Sequence, residues 1–191
     1  MQPTVIAIAG PNGAGKTTIA ESFLNELLGV GEYVNADTIA RGLSQFQPQS
    51  VAVQAGRQNL HRLDELAANG SSFAFETTLA GMAYAQRIKQ WRANGYLFLL
   101  AFFWLRDVSI ALERVSVRVA SGGHDIPEGV VRQRYQRGLA NFFKLYRPLA
   151  DRWLMYDNSE RQPKLVAMGS RESEQEIVEQ STWSTIAKAC K

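Results

Sequence analysis

Apolar and polar positions fall into blocks whose period switches back and forth between strand and helix. Val5 to Ala9 is an unbroken apolar run, as expected of a strand buried on both faces. A helical pattern follows from about Lys16 to Leu28, with Ile19, Phe23, Leu24 and Leu27 on one face. A short second strand is predicted near Glu32 to Asn35, then a polar, Gln-rich loop from Ser44 to Ser50. A helix over about Val51 to Ala68 stops at Asn69-Gly70, and a strand follows at Ser72 to Glu76. Another helix from about Met82 to Ala93 stops at Asn94-Gly95 and leads into a strand at Tyr96 to Leu105. The helix from about Val108 to Ala120 ends at the breaker cluster Ser121-Gly122-Gly123-His124. Pro127 suits the first position of the next helix, which reaches about Leu145. Arg152 to Tyr156 and Lys164 to Met168 read as closing strands, and about Ser173 to Ala189 as a last helix. Such alternation predicts an α/β fold in three layers, with a mainly parallel sheet covered on both faces.

Residues 10–17, Gly10-Pro11-Asn12-Gly13-Ala14-Gly15-Lys16-Thr17, fit G-x-x-x-x-G-K-[ST] between the first strand and the first helix. The glycines let successive backbone N–H groups turn in around a phosphate, and the helix N-terminus adds its dipole. This predicts a P-loop NTPase fold with an ATP site over 10–18, Thr18 included. Lys16 reaches the terminal phosphates and the Thr17 hydroxyl takes Mg²⁺.

Ligands of open parallel sheets sit beyond the carboxyl ends of the strands. That rule selects Asp37 after the second strand, and Glu76 and Thr77 after the third. Asp37 is either a base or metal partner, or the cap of a helix beginning at Thr38. Glu76 needs a partner at a buried strand end: a substrate, the metal or a structural Arg.

Length and composition leave the class unchanged. The 191 residues, 46% hydrophobic and 20% charged, suit one soluble domain over 1–191. No basic leader precedes the first strand, and the longest apolar run, Tyr96 to Leu105, is short of the ~20 residues of a membrane span. One cysteine, Cys190, excludes an intrachain disulfide, which fits a cytoplasmic setting. A net charge of +3 does not argue for nucleic acid. The positive charge is concentrated, however: Arg106 to Arg152 holds eight Arg and one Lys against five acids. Arg114, Arg118 and Arg134 have no acid three or four positions away, whereas Arg132 has Glu128. With the Gly122-Gly123 break between them, these three predict an Arg-bearing helical lid over about 114–135. His124 beside it reads as a turn residue.

The blocks GPNGAGKTT (10–18), YVNADTIA (33–40), FAFETTLAG (73–81), RVASGGHDIPEGVVRQRY (118–135) and DRWLMYDNS (151–159) together resemble the small zeta-toxin-like P-loop kinases. The resemblance spans about residues 4–159. It implies transfer of the ATP γ-phosphoryl to a small-molecule hydroxyl, with UDP-N-acetylglucosamine the acceptor of the zeta toxins. It further implies Asp37 as base, Glu76 and Thr77 as substrate contacts, Arg118 and Arg134 as lid arginines, and a small antitoxin-like protein as partner. No LSGGQ segment supports an ABC ATPase and no N-K-x-D segment a GTPase switch. Two rivals stay open: a polynucleotide 5′-hydroxyl kinase, and a nucleotide-binding ATPase or switch without an acceptor.

Overall fold

The computed structural model describes residues 2–20, 32–44, 51–123, 125–171 and 175–189. Phe23, Leu24, Leu27, the loop at 45–50, His124, Ser173 and Cys190 lie outside the described residues.

Strand β1 is Thr4–Ala9, and helix α1 opens at residue 16 and is described through residue 20. There follow β2 (Glu32–Val34), α2 (Ala36–Leu43), α3 (Ala52–Ala68), β3 (Phe73–Thr77), α4 (Ala83–Ala93), β4 (Leu97–Trp104), α5 (Val108–Ala120) and α6 (Glu128–Asn141). A π-helical turn, Phe142–Tyr146, and a 3-10 turn, Arg147–Leu149, continue α6 towards β5 (Arg152–Asp157), β6 (Lys164–Ser170), β7 (Glu176–Ile177) and α7 (Gln180–Lys188). The seven strands run in the order β2-β3-β1-β4-β5-β6-β7. β1 to β5 are parallel, and β6 and β7 are antiparallel additions at one edge.

Period-two alternation divides the core between the two faces. Val5, Ala7, Ala9, Phe98, Leu100 and Phe102 enter the larger core, which α3, α4, the π turn and α7 cover. Ile6, Ile8, Ala101 and Phe103 enter the smaller one, against α1, α5 and α6. The register sets Ala9 beside both Thr77 and Phe102, so the carboxyl ends of the central strands come out level. The crevice lies above that rim.

Most elements fall within one or two residues of the sequence expectation, α6 gives way to the π turn after Asn141 instead of reaching Leu145, and three helix starts differ for a physical reason. α2 begins at Ala36, and its cap is Asn35, whose side chain accepts from the Asp37 N–H. Asp37 is thus a first-turn residue and not the cap. Pro127 is the N-cap of α6, one position earlier than expected. The last helix starts only at Gln180, because Glu176–Ile177 pairs with β6 and the N–H groups of Val178 and Glu179 both donate to Val166 O. Ladder bonding overrides the helical propensity of this acidic stretch.

One ion pair welds α4 to the sheet. Arg92 donates to both oxygens of Asp151 at 3.1 and 2.8 Å, and Asp151 also accepts the Phe98 N–H at 2.8 Å. Burial raises the Asp151 pKa, but the Arg92 and Phe98 hydrogen bonds and the charges of Arg92 and Arg171 outweigh it. They hold the carboxyl below its ordinary value. A depressed carboxyl stabilises the fold above its unfolded pKa of about 3.9, and the contribution is lost as pH falls through the folded value. Asp151→Asn is expected to cost about 1–3 kcal/mol at pH 7 by urea titration, by leaving Arg92 partly unanswered. The gap between the two proteins should close below about pH 4; a gap that stays constant at pH 3 excludes this linkage.

Candidate active site

The phosphate loop bends by placing Gly10, Gly13 and Gly15 at φ 147°, 77° and 75°, the left-handed region in which a side chain is strained. Gly10 is constrained twice: a Cβ there would sit 2.4 Å from Phe103 O. The Gly10 N–H donates to Thr77 O at 3.2 Å, tying the loop to β3. Lys16 is 9% exposed and its Nζ donates to Gly10 O and Pro11 O, each at 2.9 Å. Burial lowers its pKa; Glu76 and Asp37 pull it back up, while Arg118 and Arg134 add to the lowering. These five charged groups therefore share one electrostatic neighbourhood.

Two distant residues clamp the loop from outside. Arg114 on α5 donates to Gly13 O at 3.3 Å, Asn158 O at 2.9 Å, Ser159 O at 3.1 Å and Glu160 O at 3.2 Å. Asn158, just past β5, donates from its amide to Ala14 O at 2.8 Å. The Ser159 hydroxyl bonds the Asp157 carboxylate and accepts the Arg106 N–H at 2.8 Å, which fixes the turn that carries Asn158.

A cavity of about 510 Å³ opens over this surface. Asn12, Gly13, Gly15, Lys16, Thr17 and Thr18 form its floor, and Asp37 and Glu76 also line it. Arg114, Arg118 and Arg161 add cations to the wall. Its volume is that of a small-molecule site, and a Gly-rich turn at a helix N-terminus beside Lys16, Arg118 and Arg161 suits a polyphosphate.

The family model described as zeta toxin matches residues 1–164. The chain belongs to the zeta toxin family. A Haemophilus influenzae (strain ATCC 51907 / DSM 11121 / KW20 / Rd) relative, described only as an uncharacterized protein, is 33% identical over 135 residues, 71% of this chain and 94% of its own. The AvrRxo1-ORF1:-ORF2 complex solved with ATP matches with a TM-score of 0.76 at 18% identity, over 97% of this chain and 63% of that one. The chain thus spans less than two thirds of that relative. The PezAT chromosomal toxin-antitoxin system of Streptococcus pneumoniae matches at 0.63 and 18%, over 98% and 86%. The Pnkp1/Rnl/Hen1 RNA repair complex matches at 0.59 and 18%, over 75% and 46%. At such identities these structures speak for the fold, an α/β P-loop kinase with a mostly parallel sheet. Membership of the zeta toxin family supports ATP-dependent phosphotransfer by a kinase.

Against this zeta-toxin framework, Lys16, Thr17, Thr18, Asp37, Glu76 and Arg118 come together around the cavity. Arg134 reaches over from α6, its guanidinium 3.4 Å from Asn12 Oδ1. Thr77 does not line the cavity: it is buried, and its hydroxyl accepts the Leu79 N–H at 3.0 Å. That contact shapes a turn in which Leu79 takes φ 55°, a strained value for a side chain of its size, held by Asn141 donating to Leu79 O at 2.7 Å. Arg114, expected to be open to an anion, is engaged by four carbonyls and holds the loop. Arg132 forms the expected pair with Glu128 at 2.6 Å. Gly122 and Gly123 end α5: Gly122 N–H donates to Val119 O and Gly123 N–H to Arg118 O, a Schellman termination with Gly122 at φ 84°. Asn158, Glu160, Arg161 and Pro163 line the cavity without having been singled out. The strand-end rule, carried on to β5, selects Asn158.

Arg114→Lys keeps the charge but cannot span four carbonyls. It is expected to lower stability by about 1–3 kcal/mol and to weaken ATP binding together with it, read by thermal melting and calorimetric titration. Unchanged melting would leave Arg114 without a clamping role.

Proposed function

We propose that the protein is a single-domain kinase with a lid over about 114–135, which moves the ATP γ-phosphoryl to a hydroxyl of a small molecule. The observation that carries this is the convergence of Lys16, Asp37, Glu76 and Arg118 on one cavity above the phosphate loop. The loop N–H groups and Lys16 bind the phosphates, Lys16 exchanging loop carbonyls for phosphate oxygens. The Thr17 hydroxyl would hold Mg²⁺, which supplies charge neutralisation at the phosphates when bound. The acceptor oxygen forms a bond to the γ-phosphorus as the bond to the β,γ-bridging oxygen breaks, and that electron pair leaves with ADP. Asp37 takes the acceptor's proton. Arg118, with Arg134 behind Asn12, meets the charge that grows in the transition state.

Family membership makes UDP-N-acetylglucosamine the first acceptor to try and a cytoplasmic setting the one to expect. A small antitoxin-like protein is the corresponding partner, in keeping with the two-component PezAT and AvrRxo1 assemblies. Among the described residues no helix is long and apolar enough to cross a membrane.

Labelled ATP offered with nucleotide sugars, nucleosides, aminoglycosides and 5′-hydroxyl oligonucleotides tests the reading. Label is expected on a nucleotide sugar. Label on an oligonucleotide makes the protein a polynucleotide kinase, and hydrolysis that no acceptor stimulates makes it an ATPase or switch. Lys16→Ala should abolish turnover while the fold persists.

Asp37→Asn isolates the base. Because Asn35 caps α2, this substitution leaves the helix end intact and removes only charge and basicity. Transfer should fall at least ~10²-fold, the scale of a positioned proton acceptor, with melting unchanged. Near-normal transfer would take the base role from Asp37.

A further inference from the structure

β2 delivers more than Asp37 to the crevice. Tyr33 lies opposite Ala74 in the parallel β2–β3 ladder, two residues before Glu76 on β3. Residues two apart on a strand share a face, so the Tyr33 ring stands on the side that carries Glu76. Its phenol donates a hydrogen bond to Glu76 Oε1. The ring packs with the smaller core, in the company of Ile6, Ile8 and Ala74, which limits where the hydroxyl can go. Just beyond the strand, the Asn35 side chain accepts the Asp37 N–H at 2.8 Å. The segment 33–35 thereby holds the Glu76 carboxylate through Tyr33 and the Asp37 backbone through Asn35.

We propose that Tyr33 is a positioning residue: its phenol holds Glu76 Oε1 so that Oε2 is the oxygen offered to the phosphoryl acceptor. This rests on the kinase reading. The Asp37 and Glu76 carboxylates line the same cavity, and carboxylates repel anions and accept hydrogen bonds. The part of the acceptor that meets Glu76 is therefore a donor, a second hydroxyl or an amide N–H, and not a phosphate or carboxylate.

Tyr33→Phe removes the hydroxyl and keeps the ring. With UDP-N-acetylglucosamine, or whichever panel member takes label from the wild type, the acceptor KM should rise about tenfold, the loss of one hydrogen bond to a charged group. The KM for ATP should stay within about twofold, and Tyr33→Phe added to Glu76→Gln should cost nothing more. A crystal structure of Tyr33→Phe with a non-hydrolysable ATP analogue should show Glu76 swung from its wild-type position. The idea is overturned if Glu76 stays in place, if the ATP and acceptor KM values rise together, or if the two substitutions add. Should the wild type label no acceptor, the kinase reading falls by itself, and the crystallographic comparison still decides whether Tyr33 places Glu76.

Discussion

A buried ammonium must be met by oxygen, and much of the crevice follows from meeting Lys16. The carbonyls of Gly10 and Pro11 do so, which requires the loop to curl over the strand ends. That curl brings residue 10 against the backbone of β4, where no side chain fits. The outside of the curl is held by Arg114 and Asn158, 101 and 144 positions along the chain from their loop partners. Asp37 and Glu76 then supply the opposite charge at the mouth, offsetting part of the desolvation.

α6 joins the two sides of the crevice physically. Midway along it carries Arg134, which reaches Asn12 of the phosphate loop. At its end Asn141 donates to Leu79 O, and Tyr146, in the π turn, donates to Gly81 O at 2.6 Å. A π turn bonds residues five apart, and that spacing brings both donors to the loop after β3. Burial of Tyr146, with the Tyr84 charge adding to it, pushes its pKa up to about 12, so the phenol remains a donor there. The strained Leu79 backbone is thus pinned from the helix that also carries Arg134. Displacement of α6 at one end has a direct route to the turn that follows Glu76 and Thr77.

What the sequence determined by itself is local. The apolar run at 5–9, the Gly-rich turn and the Lys-Thr pair specify strand, phosphate loop and helix because their backbone demands are met within a dozen residues. Strand alternation specified the parallel sheet, and the strand-end rule selected Asp37 and Glu76. Tertiary structure decided which polar groups remain open to a ligand. Asn35 and not Asp37 caps α2, because the cap depends on where β2 lets go of β3. Arg114 looked available, since no acid lies three or four positions from it in sequence, yet its four partners are carbonyls, which every residue carries and no pattern marks. Tyr33 meets Glu76 across 43 positions only because β2 and β3 pair in this register. Local propensity reports what a residue does to its own backbone. Which partner a side chain finds is settled by packing, and that is where the sequence stopped being readable.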